Sequence, residues 1–99
     1  AEFVTDPHTL DIQFTLSGEL MQDANTELMQ HSVDELVHFV SNNIILRPGD
    51  VIATGTPGGV GYARTPPVFM EPGDVARCTV EGIGTLTNPV RNWLDVMPR

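Results

Sequence analysis

In LDIQFTLSGELMQ, residues 10–22, apolar side chains fall at Ile12, Phe14 and Leu16 with polar ones between them, and the alternation stops at Ser17-Gly18. A period of two puts those three residues on one side of a strand, and a Ser-Gly pair suits a tight reversal. The pattern predicts a hairpin with Leu20 and Gln22 on the returning strand. In HSVDELVHFVSNN, residues 31–43, the spacing lengthens, and Val33, Leu36, Val37 and Val40 recur at i, i+3, i+4 and i+7. That is one apolar face of a helix. Ser32 and Glu35 form an S-x-x-E capping box at its start, and Asn42-Asn43 supplies the stop. No other stretch reads as a helix.

Beyond it the pattern is punctuated β-structure. RPGDVIAT and EPGDVARC share P-G-D-V at residues 48–51 and 72–75. Proline followed by glycine suits a type II turn, which needs a positive φ at the glycine. One shared tetrapeptide reads as two similar turns rather than a duplication. Each turn is expected to launch a strand, over residues 51–54 and 75–81. A last strand is expected over residues 83–90, with Gly82 and Gly84 allowing a bulge or corner before it. Five or six strands with one helix and no βαβ alternation predict a mainly β fold, α+β only by the count of that helix, built on a mixed sheet. So many open strand edges in 99 residues suggest part of a larger sheet structure.

Charge narrows the partners. The net charge is −8, from 13 acids against 5 bases, and every base is an arginine: Arg47, Arg64, Arg77, Arg91 and Arg99. So few cations cannot assemble a basic face, which argues against nucleic acid and anionic membrane as partners. No apolar run approaches the about 18 residues that span a bilayer. The start, AEFVTDPHTLD, has neither a basic opening nor an apolar core of the signal-peptide kind. The single cysteine, Cys78, allows no internal disulfide and fits a reducing, cytoplasmic setting. Within VARCTV it reads as an inert sheet thiol. The isolated His8, His31 and His38 read as surface or packing residues.

Residues 51–61, VIATGTPGGVG, hold the candidate chemistry. A phosphate-binding P-loop needs a lysine after its last glycine, and the chain has no lysine. A dinucleotide fingerprint should open a helix, but YARTPPVF follows, and its adjacent prolines bar one. What remains is a pair of hydroxyls, Thr54 and Thr56, two residues apart and so on one face of a strand end. Gly55 between them lets a ligand reach the backbone. Such a site could grip a carboxylate or carbonyl oxygen through neutral donors, or the glycines could simply turn a corner.

Residues 46–90, LRPGDVIATGTPGGVGYARTPPVFMEPGDVARCTVEGIGTLTNPV, resemble the C-terminal signature of the fumarylacetoacetate hydrolase family. GELMQDANTELM, residues 18–29, resembles the family's preceding NGE-x-x-Q-x-x-NT-x-x-M pattern. The ARTPPVF insert is most similar to bacterial hydrolases related to the fumarylacetoacetate hydrolase domain-containing proteins. Two departures stand out: Ser17 where asparagine is commoner, and Met21 in place of a frequent basic residue.

The resemblance implies an incomplete β-sandwich roll, with residues 1–99 as the C-terminal part of one catalytic domain. The family's metal-binding part, a Glu-x-Glu pair and a later Asp, precedes this region, as does its water-activating His–Glu pair. No metal ligand or catalytic group is therefore expected here. The implied cofactor is Mg2+, or Ca2+ or Mn2+ in its place, holding the oxygens of a 2-oxo or 1,3-dicarbonyl acid. The implied reaction is hydrolysis of a C–C bond, as in an acylpyruvate, with isomerase, decarboxylase and lyase chemistry as family alternatives. A truncated, non-catalytic structural or interaction module is the reading of a different class. Homodimers are common in the family. The resemblance assigns Thr56, with Gly55 beside it, to the substrate's carboxylate or carbonyl. Gln22 and Thr26 are weaker pocket candidates that equally suit holding the hairpin by side-chain hydrogen bonds.

Overall fold

The alternation at Ile12, Phe14 and Leu16 becomes strand β1 (Asp11–Leu16), which turns back as β2 (Glu19–Asn25). In this computed structural model, which describes residues 4–97, β3 (Val75–Val80) and β4 (Gly84–Pro89) complete a single sheet in the order β2-β1-β3-β4. Residues 1–3 of the N-terminal stretch and the base Arg99 lie outside the described residues. Helix α1 (Val33–Ser41) follows β2 after a 3-10 turn, Thr26–Leu28, and a short α2 (Trp93–Val96) follows β4. The mainly β class with one principal helix is what the structure shows.

Register sorts the sheet's faces. Ile12 lies opposite Ala24 and Val80, Phe14 opposite Gln22 and Cys78, and Leu16 opposite Ala76. Successive residues point to opposite faces, so these side chains share one face. The other face is polar and cross-linked between strands. Gln13 Nε2 donates to Asp23 Oδ1 at 3.0 Å, Asn25 Nδ2 donates to Asp11 Oδ1 at 2.8 Å, and the Thr79 and Thr85 hydroxyls are 2.9 Å apart. Among the described residues only Leu16 and Met21 are buried apolar side chains, at 8% and 5% exposure.

Local signals set the turns. Ser17 (φ 49°) and Gly18 (φ 87°) both take positive φ, the requirement of a two-residue type I′ hairpin. Serine is an unusual choice there, but its surroundings fix it. Ser17 Oγ donates to Asp74 Oδ1 at 2.6 Å, and its N–H donates to the Val75 carbonyl at 2.8 Å. At α1 both halves of the capping box form. The Glu35 N–H donates to Ser32 Oγ at 3.2 Å, and the Ser32 N–H donates to Glu35 Oε2 at 2.8 Å. His8 packs the segment before β1 onto the helix start, its Nε2 accepting the Val33 N–H at 3.1 Å.

The two P-G-D-V turns are built alike, with Gly49 and Gly73 at φ 99° and 101°. In each, the aspartate N–H bonds to the residue three back, at 3.0 Å, while its carboxylate accepts that residue's N–H, from Arg47 at 2.7 Å and Glu71 at 2.8 Å. Only the second launches a strand. Its Asp74 carbonyl accepts from Val90 N–H and its Val75 carbonyl from Ser17 N–H, both at 2.8 Å, so the ladder starts at once. Residues 51–54 find no such partner among the described residues and form no strand, and Val51 is 92% exposed. The expected five or six strands are thus four among the described residues, and their pairings are all antiparallel rather than mixed. A β-rich composition supplies no neighbour to pair with.

One irregularity positions the glycine-rich loop. Phe14 pairs with Gln22 but Thr15 pairs with Leu20, leaving Met21 as an extra residue in β2. This bulge turns the Met21 carbonyl toward the loop. Gly59 (φ 99°) packs directly against that oxygen, and a Cβ there would overlap it, whereas a Cβ at Gly58 would meet open space.

Two measurements test these contacts. The Ser17 hydroxyl and then the Glu71 N–H hold the Asp74 carboxyl below its ordinary value of 3.8. A lowered folded value means that the stabilisation is whole above the unfolded value and is lost as pH falls through the folded one. Ser17→Ala is expected to raise the Asp74 midpoint toward 3.8 in a carboxyl-carbon NMR titration; an unmoved midpoint would remove Ser17 as the cause. Gly59→Ala is expected to cost about 1–3 kcal/mol in denaturant melts, with Gly58→Ala close to neutral. Equal effects would contradict the close approach to Met21.

Candidate functional site

A cleft of about 730 Å3 lies where the end of β2, the Thr26–Leu28 turn, α1 and residues 54–58 converge. Ile12 and Ala24 of the sheet form its floor, and Leu28, Met29 and Leu36 form an apolar wall. Thr54, Gly55 and Thr56 form the opposite rim. Both threonines line this cleft, although the strand expected over residues 51–54 is absent. Gly55 has φ 99°, and no heavy atom lies within 4 Å of where a Cβ would stand, so the backbone is open to approach.

Gln22 sets the rim. From β2 its Nε2 donates to Thr56 Oγ1 at 2.9 Å and to the Pro57 carbonyl at 2.8 Å. A hydroxyl has one proton to give and two lone pairs to receive with. With one lone pair of Thr56 taken by an amide that can only donate, its own proton is available for a ligand oxygen. Gln22 thus holds the loop, not the hairpin. Thr26 is used differently: its hydroxyl donates to the Pro7 carbonyl at 2.7 Å and accepts the Leu10 N–H at 2.9 Å. It lines the cleft, but its proton is committed to tying the segment before β1 to the end of β2.

The cleft's electrostatics are those of neutral donors. Of the lining residues Asp23 and His31 can carry charge, and among the described lining residues none is Lys or Arg. Asp23 is engaged by Gln13, and His31, 71% exposed, stands with Nδ1 3.8 Å from Glu35 Oε2. Among the described residues no three His, Cys, Asp or Glu side chains gather as a metal-binding set. The described residues therefore do not by themselves make a divalent-ion site.

Sequence reasoning missed Arg64. Its Nε donates to the Gly59 carbonyl at 3.0 Å and its Nη2 to the Met21 carbonyl, joining the far end of the loop to the β2 bulge. The available signal was a lone cation within an otherwise uncharged stretch, residues 51–70.

Comparison with known proteins agrees with this architecture. The family pattern described as Fumarylacetoacetate (FAA) hydrolase C-terminal matches residues 1–91. The mitochondrial oxaloacetate tautomerase fahd2 of Xenopus laevis is 44% identical over 89 residues, which is 90% of this chain and 28% of the relative. The fumarylacetoacetate hydrolase of Exiguobacterium antarcticum superposes with a TM-score of 0.87 at 43% identity, over 92% of this chain and 33% of that one. The maleylpyruvate hydrolase of Sphingobium sp. SYK-6, solved with manganese(II) and pyruvate, gives 0.81 at 36% identity, over 92% and 32%. This chain accordingly spans under a third of the Xenopus relative that it matches. With its sheet, its glycine loop and residues 1–91 all in agreement, the chain belongs to the fumarylacetoacetate hydrolase family.

Proposed function

We propose that this chain supplies the acid-gripping rim of a family enzyme acting on a 2-oxo or 1,3-dicarbonyl acid, and that the reaction is hydrolysis of a C–C bond, as in an acylpyruvate. The observation that carries the proposal is the Gln22–Thr56 bond of 2.9 Å, which leaves the Thr56 proton to donate into the cleft. There it would bond a carboxylate or oxo oxygen of the acid. The apolar wall of Leu28, Met29 and Leu36 would take the acid's carbon chain. In such a cleavage water adds to the distal carbonyl and the C–C bond breaks. The electron pair passes to the enolate of the 2-oxo acid, which then takes up a proton.

The enolate needs positive charge close by, which the residues lining this cleft do not supply. A divalent ion, Mg2+ or Mn2+ or Ca2+ in its place, would bring it, held by residues other than those described. The manganese and pyruvate bound together in the Sphingobium enzyme support that reading. Oxo-acid tautomerisation is the second reading, favoured by the 44% identity to the Xenopus tautomerase. It uses the same grip on the acid and the same enol, without the water.

Thr56→Val tests both readings in the full-length protein. With acetylpyruvate and oxaloacetate as substrates, KM is expected to rise about tenfold for whichever is turned over, the worth of one hydrogen bond to a charged oxygen. Affinity for Mn2+, measured by titration calorimetry, should stay the same. Unchanged KM with both acids would reject the role of Thr56, and lost Mn2+ affinity would show that it acts on the ion instead.

A further inference from the structure

The loop that presents Thr56 is fastened at two ends. At its start Gln22 bonds Thr56 and Pro57, and at its end Arg64 bonds Gly59. The two fastenings meet on one feature of the sheet: Gln22 directly follows Met21, the bulged residue whose carbonyl takes the other arm of Arg64. Arg64 is itself placed by a 3-10 turn, Gly61–Ala63, which it caps by donating its N–H to the Gly61 carbonyl at 3.2 Å. That turn is pinned again by the Val68 N–H on the same carbonyl, at 3.0 Å.

The geometry points to Arg64 as a positioning residue for the Thr56 hydroxyl, acting through the Gly59 and Met21 carbonyls on the loop between them. This rests on the reading of Thr56 as the acid-gripping group. A guanidinium is a rigid fork whose nitrogens can serve two acceptors in fixed relative directions, which a lysine ammonium on a flexible stem does not reproduce. The two acceptors belong to different parts of the chain, one on the sheet and one on the loop. The planar group therefore ties them together in one geometry, beside the direct packing of Gly59 on the Met21 carbonyl. Without it residues 56–59 keep the Gln22 tether at one end, and Gly59 keeps only its packing against the Met21 carbonyl, with no side-chain hydrogen bond to fix it. The hydroxyl then samples positions around the one that meets the ligand, and a misplacement on the scale of an ångström weakens binding markedly.

The test is a mutant cycle in the full-length protein with the acid that it turns over, oxaloacetate or acetylpyruvate, as the probe. Arg64→Lys is expected to raise KM about tenfold, the equivalent of ~1.4 kcal/mol, while kcat stays within about twofold and the melting temperature is kept. In a Thr56→Val background the same Arg64→Lys change should move KM little, because the group that it positions is gone. Arg64→Ala should regain much of its KM when ethylguanidinium is added. That rescue is expected only if the planar cation at this place is what matters, and it keeps the test valid should Arg64→Lys lose stability. Additive effects of the two substitutions on KM, or Arg64→Lys behaving as wild type, would overturn the role of Arg64 and leave that of Thr56 standing. A Thr56→Val protein with unchanged KM would instead overturn the underlying reading of the rim, and the inference for Arg64 with it.

Discussion

A side-chain amide reaching from a strand to a glycine-rich loop decides where the candidate chemistry of this chain stands. Glycines make such a loop easy to bend and costly to order, at about 1–2 kcal/mol for each residue fixed. Fixing the four positions 56–59 therefore costs on the order of 4–8 kcal/mol. Two neutral bonds from Gln22 contribute about 1 kcal/mol each, and two from the Arg64 guanidinium about 1.5–3 each, which together are of the same size. The balance is close, so each of these four bonds matters to where Thr56 stands. Residues 51–54, for which no side-chain fastening is seen among the described residues, form no strand; Val51 is exposed and Ile52 half-buried.

The sheet is likewise held by directional contacts more than by a packed interior. Leu16 and Met21 are the buried apolar residues among those described, while Phe39, Ile45 and Trp93 are 71%, 81% and 69% exposed. Ladders, the Ser17–Asp74 bond and the polar cross-strand pairs fix the register of the sheet, and the exposed apolar side chains are surface left over in a chain that spans under a third of the Xenopus relative. Met21 matters twice in this arrangement. As the extra residue of β2 it buries its side chain in the small core, and the same bulge turns its backbone oxygen to the loop. A core position and a site-forming position thus coincide in one residue.

What the sequence disclosed follows from the range of each signal. The Ser17-Gly18 reversal, the Ser32–Glu35 capping box and the paired P-G-D-V turns are written within four residues or so, and all of them form. The strand expected at residues 51–54 depended on a partner that no local pattern names, and the partner is absent among the described residues. Local chemistry alone offered Thr54, Gly55 and Thr56 as a possible grip or a plain corner, and it was the family resemblance that assigned Thr56 with Gly55 to the substrate. Gln22, 34 residues from Thr56, looked like a hairpin residue because nothing in its neighbourhood reveals the loop above it. Arg64 bonds a carbonyl 43 residues away, and its standing as the lone charge of residues 51–70 marks it without naming its partner. The register shift that joins these residues is a property of strand pairing, so it becomes visible only once β1 and β2 are side by side.

A rim built around one hydroxyl would add modest net affinity for an anion, since water offers an anion the same bonds. In a chain of net charge −8 the long-range field opposes the approach of an acid as well. The value of the rim must then lie in direction. A hydroxyl whose oxygen is held in place by Gln22 would meet a ligand oxygen at one place, and it would reward a ligand only when another part of that ligand is already held. This is the division of work expected where attraction comes from a separate positive charge and alignment comes from neutral groups. On the proposed reading, the precision of the loop would matter more to the cleft than the number of its contacts.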